Sequence, residues 1–206
     1  MINGIRRIGI YGGTFSPPHK GHVEAARAFM KQMRLDYLYV IPTATPPHKN
    51  LDNAVDARHR LRMCELAFAD VEGVIVSDVE IKRGGISYTV DTLRELCAPD
   101  ARLFLLCGTD MLLTLDKWRE AEEIFRLCYP IYIRRENDPI MSARILSRIT
   151  EYTEKYNAVI RRVVAEPIEI SSTEIRRRLA AGESVEGFIP SAVAEYIRHN
   201  RLYGAE

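Results

Sequence analysis

The sequence predicts an α/β fold: a doubly wound, mostly parallel sheet with a small helical appendage at the C-terminal end. Three observations predict it. Short β-type runs recur along the chain with helix-like segments between most of them, the alternation of βαβ units. Apolar residues make up 47% of the 206 residues, enough for a real core. Beyond residue 165 the strand signal stops and helical patterns take over.

The elements follow in order. IRRIGIY (5–11) reads as the first strand, and residues 20–33 put Val23, Ala26, Met30 and Met33 on one helical face. YLYVI (37–41) is the next strand, and residues 56–69 align Ala57, Leu61, Cys64 and Phe68 in the same way. VIVSDVEI (74–81) reads as a strand; Thr89 can cap a helix through Leu93 and Leu96, with Pro99 just past its end. RLFLLC (102–107), YPIYIRR (129–135) and IRRVVA (160–165) complete the strands, with a longer amphipathic helix over 139–155. Three helical pieces close the chain: SSTEIRRRLAAG, GFIP and SAVAEYIRHNRLY, with Gly182 as a stop and Pro190 as a start. This appendage is too small to bury a core of its own. We therefore expect a single domain over 1–206, a Rossmann-like core (1–168) carrying a helical appendage (169–206). Ligands of such sheets sit outside the carboxyl ends of the strands, where the strand order switches.

Charge and cysteine usage narrow the function. With 29 basic and 28 acidic residues the net charge is +1, so no whole-protein field attracts nucleic acid or a membrane surface. The four cysteines stand apart, without metal or disulfide spacing. No apolar stretch is long enough to span a bilayer. These observations point to a reduced, cytoplasmic protein with no nucleic-acid or membrane partner, and leave open whether it forms a homo-oligomer.

The first strand runs into Gly12-Gly13-Thr14-Phe15-Ser16-Pro17-Pro18-His19-Lys20-Gly21-His22, and a helix follows. Glycines at a strand end let the backbone turn tightly and bring N–H groups close to a phosphate. The helix N-terminus behind them favours an anion. His19 and His22, three apart, can converge there, and Gly21 leaves room at close range. The plain alternative is a strand–turn–helix junction with two surface histidines. Neither G-x-G-x-x-G nor a Walker A lysine sequence is present.

This run resembles the signature of the nucleotidyltransferase superfamily with the H-x-G-H motif. The resemblance implies that Gly12, Gly13, Thr14, Phe15, His19 and His22 hold ATP. Where the family usually has Asp, this chain has Ser16. A second element, Ile170-Ser171-Ser172-Thr173-Glu174-Ile175-Arg176, resembles that superfamily's I-S-S-T-x-I-R motif. On its own it reads as a well-capped helix with solvated arginines. Beside the first motif it implies that Ser171, Ser172, Thr173 and Arg176 bind the β and γ phosphates, whereas Arg177 and Arg178 are surface residues. His19, His22 and Arg176 are then the catalytic set.

Further features resemble one branch, the bacterial nicotinate-nucleotide adenylyltransferases. Pro46-Pro47-His48-Lys49 matches its P-P-H-K/R loop, and Ser87-Tyr88-Thr89-Val90-Asp91-Thr92-Leu93 its S-Y-T-x-D-T-L element. Gly108-Thr109-Asp110 matches a G-x-D element near the nucleotide sugar, and Trp118 an aromatic that stacks on the pyridine. An arginine holding the acceptor phosphate falls at Arg135 or its neighbour Arg134. The resemblance implies that His48, Lys49, Thr89, Gly108, Asp110, Trp118 and Arg135 bind the acceptor. It implies AMP transfer from ATP to nicotinic acid mononucleotide, giving deamido-NAD and pyrophosphate. Mg²⁺ is expected with ATP, held mainly by the phosphates and with no protein metal site. The rival readings are the amide acceptor, a nucleotide sensor without catalysis, and a nucleic-acid binder using the arginine-rich helix.

Overall fold

The computed structural model describes residues 4–46, 55–133, 139–165 and 170–205. Its strands are β1 (Arg6–Gly13), β2 (Tyr37–Pro42), β3 (Val74–Val76), β4 (Ala101–Gly108), β5 (Cys128–Ile133) and β6 (Arg161–Val163). They form one sheet in the order β3-β2-β1-β4-β5-β6, and every pairing is parallel. The order reverses between β1 and β4, so the switch point lies beside Gly13 and Gly108, the carboxyl ends of those strands.

The helices are α1 (Lys20–Met33), α2 (Ala57–Phe68), α3 (Val79–Arg83), α4 (Thr89–Leu96), α5 (Thr109–Leu112), α6 (Ala121–Leu127), α7 (Pro139–Tyr156), α8 (Ser172–Ala180) and α9 (Ser191–His199). Strand side chains alternate between the two faces of the sheet. In β4, Phe104 and Leu106 pack with α1, α2, α8 and α9, whereas Leu103, Leu105 and Cys107 pack with α4 to α7. The tail residues Ile175, Leu179, Val193 and Ile197 thus share one core with Phe29, Met63 and Cys64. Burial pushes the Cys107 thiol up to about 12, and all four cysteines are free. No helix among the described residues is long and apolar enough to cross a membrane.

Close packing of α1 on β1 depends on Gly9. A Cβ there would lie 2.5 Å from Leu35 Cδ1, 2.8 Å from Leu38 Cδ1 and 3.0 Å from Phe29 Cε1. Gly9→Val is expected to lose about 1–3 kcal/mol through overpacking. Thermal unfolding reads this as a melting point several degrees lower, and an unchanged midpoint refutes it.

The structure corrects the sequence reading in four places. The run 74–81 is a strand only to Val76: Ser77 N–H still bonds Val40 O at 2.9 Å, but Asp78 then opens α3. Within α3, Glu80 turns inward and accepts a hydrogen bond from Thr92 Oγ1 at 2.7 Å. Thr89 is the first residue of α4 and Tyr88 its cap. GFIP, read as a helical piece, is a turn, and α9 starts after its last residue, Pro190. The buried stripe of α2 is Arg60, Met63, Cys64, Ala67 and Phe68, rotated away from Ala57 and Leu61, which stay half-exposed.

Candidate active site

The residues expected to hold ATP begin on the loop from β1 to α1. Phe15 holds a left-handed conformation, φ 48°, with its ring buried edge-on against Tyr11, His22 and Phe68. Any contact it makes with a ligand therefore falls to its backbone. A Cβ on Gly12 would meet nothing within 4 Å, so the strand end opens on free space.

His19 caps α1, and its backbone N–H donates to His22 Nδ1 at 3.1 Å. An accepting Nδ1 places the proton of the neutral ring on Nε2, the donor that an anionic oxygen requires. The two rings lie 3.7 Å apart, His19 buried beneath a half-exposed His22. Convergence of the pair follows directly from their three-residue spacing.

The second motif meets the first across the chain. Ser172 Oγ donates to Pro17 O at 2.9 Å, and Arg176 Nη1 to Ser16 O at 2.7 Å. Arg176 Nη2 reaches Thr173 Oγ1 at 3.1 Å, and Ser171 caps α8 by accepting from Glu174 N–H. The neighbouring arginines face elsewhere. Arg177 pairs with Glu174 and Glu183, and Arg178 with Glu174 beside the Phe188 ring. Hydrogen bonds from Arg177 and Arg178 hold the Glu174 carboxyl down at about 2.

The described residues expected to bind the acceptor stand at the end of β4, at the start of α4 and after a short 3₁₀ turn. Gly108 ends β4, and Asp110 Oδ1 would lie 2.7 Å from a Cβ on it, so the carboxylate folds back over the glycine. Thr89 opens α4, and the half-buried Trp118 follows a short 3₁₀ turn (Leu115–Lys117) packed on the α4–α7 side. Arg119 lies 4.5 Å from the centroid of the Tyr88 ring, joining the tryptophan segment to the start of α4. His48, Lys49, Arg134 and Arg135 lie outside the described residues.

Four contributors were not singled out from sequence. Arg60, 1% exposed, donates to Thr14 O, Thr43 O, Ala44 O and Val55 O. Ser87 Oγ accepts from Ala44 N–H at 2.9 Å, and Glu80 anchors Thr92 beneath α4. Tyr203 OH lies 3.0 Å from Ser16 Oγ, and burial pushes this phenol up to about 12. Arg60 had a signal: it shares the helical phase of Met63, Cys64 and Ala67. Tyr203 had none, being 187 residues from Ser16. A separate cavity of about 1240 Å³ between the α8–α9 connection and Lys20 is lined by none of the residues expected in the site.

Paired histidines and an arginine from a distant helix thus meet at the loop that follows β1 in a parallel sheet. The cytidylyltransferase-like family matches residues 10–178. Three relatives carry the name probable nicotinate-nucleotide adenylyltransferase. One from Gemmatimonas aurantiaca is 37% identical, over 96% of this chain and 92% of its own. One from Synechococcus sp. is 40% identical, over 96% and 95%, and one from Clostridium botulinum 36%, over 98% and 100%. The fold matches the Plasmodium falciparum nicotinic acid mononucleotide adenylyltransferase complexed with NaAD, with TM-score 0.76 at 18% identity and 98% of both chains covered. The chain belongs to the nicotinate-nucleotide adenylyltransferase family.

Proposed function

We propose that the protein transfers AMP from ATP to nicotinic acid mononucleotide, giving deamido-NAD and pyrophosphate, and that the cleft at the β1/β4 switch carries the reaction. The observation that carries the site assignment is the closure of α8 on the β1 loop: Arg176 on Ser16 and Ser172 on Pro17 place cationic and hydroxyl groups beside His19 and His22. The acceptor phosphate needs no general base, because a phosphate monoester is largely ionised at neutral pH, its second pKa being about 6. Catalysis then consists of aligning two anions and stabilising charge on the departing pyrophosphate. His22 Nε2–H faces the α phosphate, His19 and Arg176 orient the triphosphate, and attack is in line without a covalent enzyme intermediate.

Mg²⁺ would arrive with ATP and neutralise phosphate charge. The donor side offers imidazoles, hydroxyls and a guanidinium, which suit phosphate oxygens and leave the ion to phosphates and water. On the acceptor side, Thr89 at the N-terminus of α4 receives the pyridine carboxylate, Gly108 and Asp110 take the sugar, and Trp118 stacks on the ring. His48, Lys49 and Arg135 are assigned to the acceptor by their sequence match. Four free thiols suit a reducing cytoplasm.

The purified protein, given Mg·ATP and either nicotinic acid mononucleotide or its amide, is expected to favour the acid at least about tenfold in kcat/KM, since the α4 N-terminus prefers a carboxylate. Equal use of both removes the Thr89 assignment. No dinucleotide from either overturns the reaction.

A further inference from the structure

One buried cation, Arg60, bonds both the loop that follows β1 and the segment that follows β2. Arg60 projects from the first turn of α2 beneath both loops. Its Nη1 donates to Thr14 O at 2.9 Å in the ATP-side loop. Its Nη2 donates to Thr43 O at 2.7 Å and Ala44 O at 3.1 Å, where the chain leaves β2. Its Nε donates to Val55 O at 3.1 Å, where the chain re-enters α2. Asp56, its nearest acidic neighbour in sequence, caps Arg58 N–H instead.

From Ala44 the linkage continues across the acceptor side. Thr45 bridges Ile86, Ser87 N–H donates to Thr45 O at 2.9 Å, and Ala44 N–H donates to Ser87 Oγ. Ser87 stands two residues before Thr89. Thr43 N–H also donates to Gly13 O at 2.9 Å, so the two loops share main-chain contact as well. A rigid guanidinium fork spans four carbonyls at once, which the single ammonium of lysine cannot do. Burial lowers the Arg60 pKa, yet a guanidinium stays charged, and its charge-assisted bonds offset the desolvation.

We propose that Arg60 is a positioning residue for adenylyl transfer: it fixes the ATP-side loop and the acceptor-side loop relative to each other, so that both substrates depend on it. The inference rests on the site assignment above. A main-chain fork of this kind sets the distance between two reacting anions, and misplacement by about 1 Å costs up to about 100-fold in rate.

The test is steady-state kinetics of full-length Arg60→Lys and Arg60→Ala, with thermal unfolding alongside. Arg60→Lys is expected to lose about 10- to 100-fold in kcat/KM for ATP and for nicotinic acid mononucleotide alike. Methylguanidinium is expected to restore activity to Arg60→Ala, and urea, planar but neutral, to restore none. Should Arg60→Ala fail to fold, Arg60→Lys alone decides. A lysine variant that melts lower but keeps kcat and both KM values within about twofold overturns the proposal, as does a loss confined to one substrate. His22→Ala in the same assay tests the site assignment separately: full activity there sinks that assignment, whatever Arg60→Lys does.

Discussion

His22→Ala is expected to lower kcat about a thousandfold at saturating ATP while the protein remains folded. The size follows from the chemistry proposed for Nε2–H. A fixed donor aimed at charge that develops only in the transition state contributes about 10²–10³ in rate, and here it also separates two anions that repel. The folding cost is smaller. The ring is half-exposed, and its loss removes one acceptor for His19 N–H, the ring contact with His19 at 3.7 Å and the edge contact with Phe15 at 5.0 Å. Together these amount to about 1 kcal/mol. Single-turnover measurement at saturating ATP isolates the chemical step from binding. Near-normal turnover would remove His22 from the α phosphate. His19→Ala should behave differently: at 3% exposure it supports His22 from below, so its loss lowers the melting point as well as activity.

Much of this site was legible in the sequence because it depends on local periodicity and on motifs at strand ends. Gly12-Gly13 close β1 and Gly108 closes β4, so knowing where strands end located them, and the start of the helical pattern located Thr89 at the opening of α4. Arg176 bonds Ser16 O in the β1 loop, whereas Arg177 and Arg178 pair with Glu174. What was not legible depends on contacts at long range. Arg60 shares the apolar phase of α2, but its partners do not show in sequence: the carbonyls of Thr14, Thr43, Ala44 and Val55. Glu80 likewise fell in a run read as a strand, but it lies in α3 and is held by Thr92, twelve residues on. Tyr203 at the end of the chain and Ser16 in the first loop meet only because the appendage packs against α1 and α2. A serine at position 16 fits that meeting, since its hydroxyl exchanges a hydrogen bond with a phenol that burial keeps protonated.

Arg176→Ala is expected to lower kcat/KM for ATP by about 10²–10³-fold and to leave KM for nicotinic acid mononucleotide within about twofold. The guanidinium bonds Ser16 O through one arm and Thr173 Oγ1 through the other, which aims it at the mouth of the β1 loop. Lysine would keep the charge but lose the fork, so Arg176→Lys should recover only part of the loss. Arg177→Ala is the internal control: its exposed pairs with Glu174 and Glu183 are worth little in water, and activity should stay within about twofold. The reverse reaction sharpens the test, because pyrophosphate replaces the β and γ phosphates at the same position. Arg176→Ala should therefore weaken pyrophosphate as it weakens ATP. If it weakened the mononucleotide equally, the arginine would be acting through the loops, as proposed for Arg60. Comparing the two variants across both substrates thus separates a residue that touches phosphate from one that sets the distance between the loops.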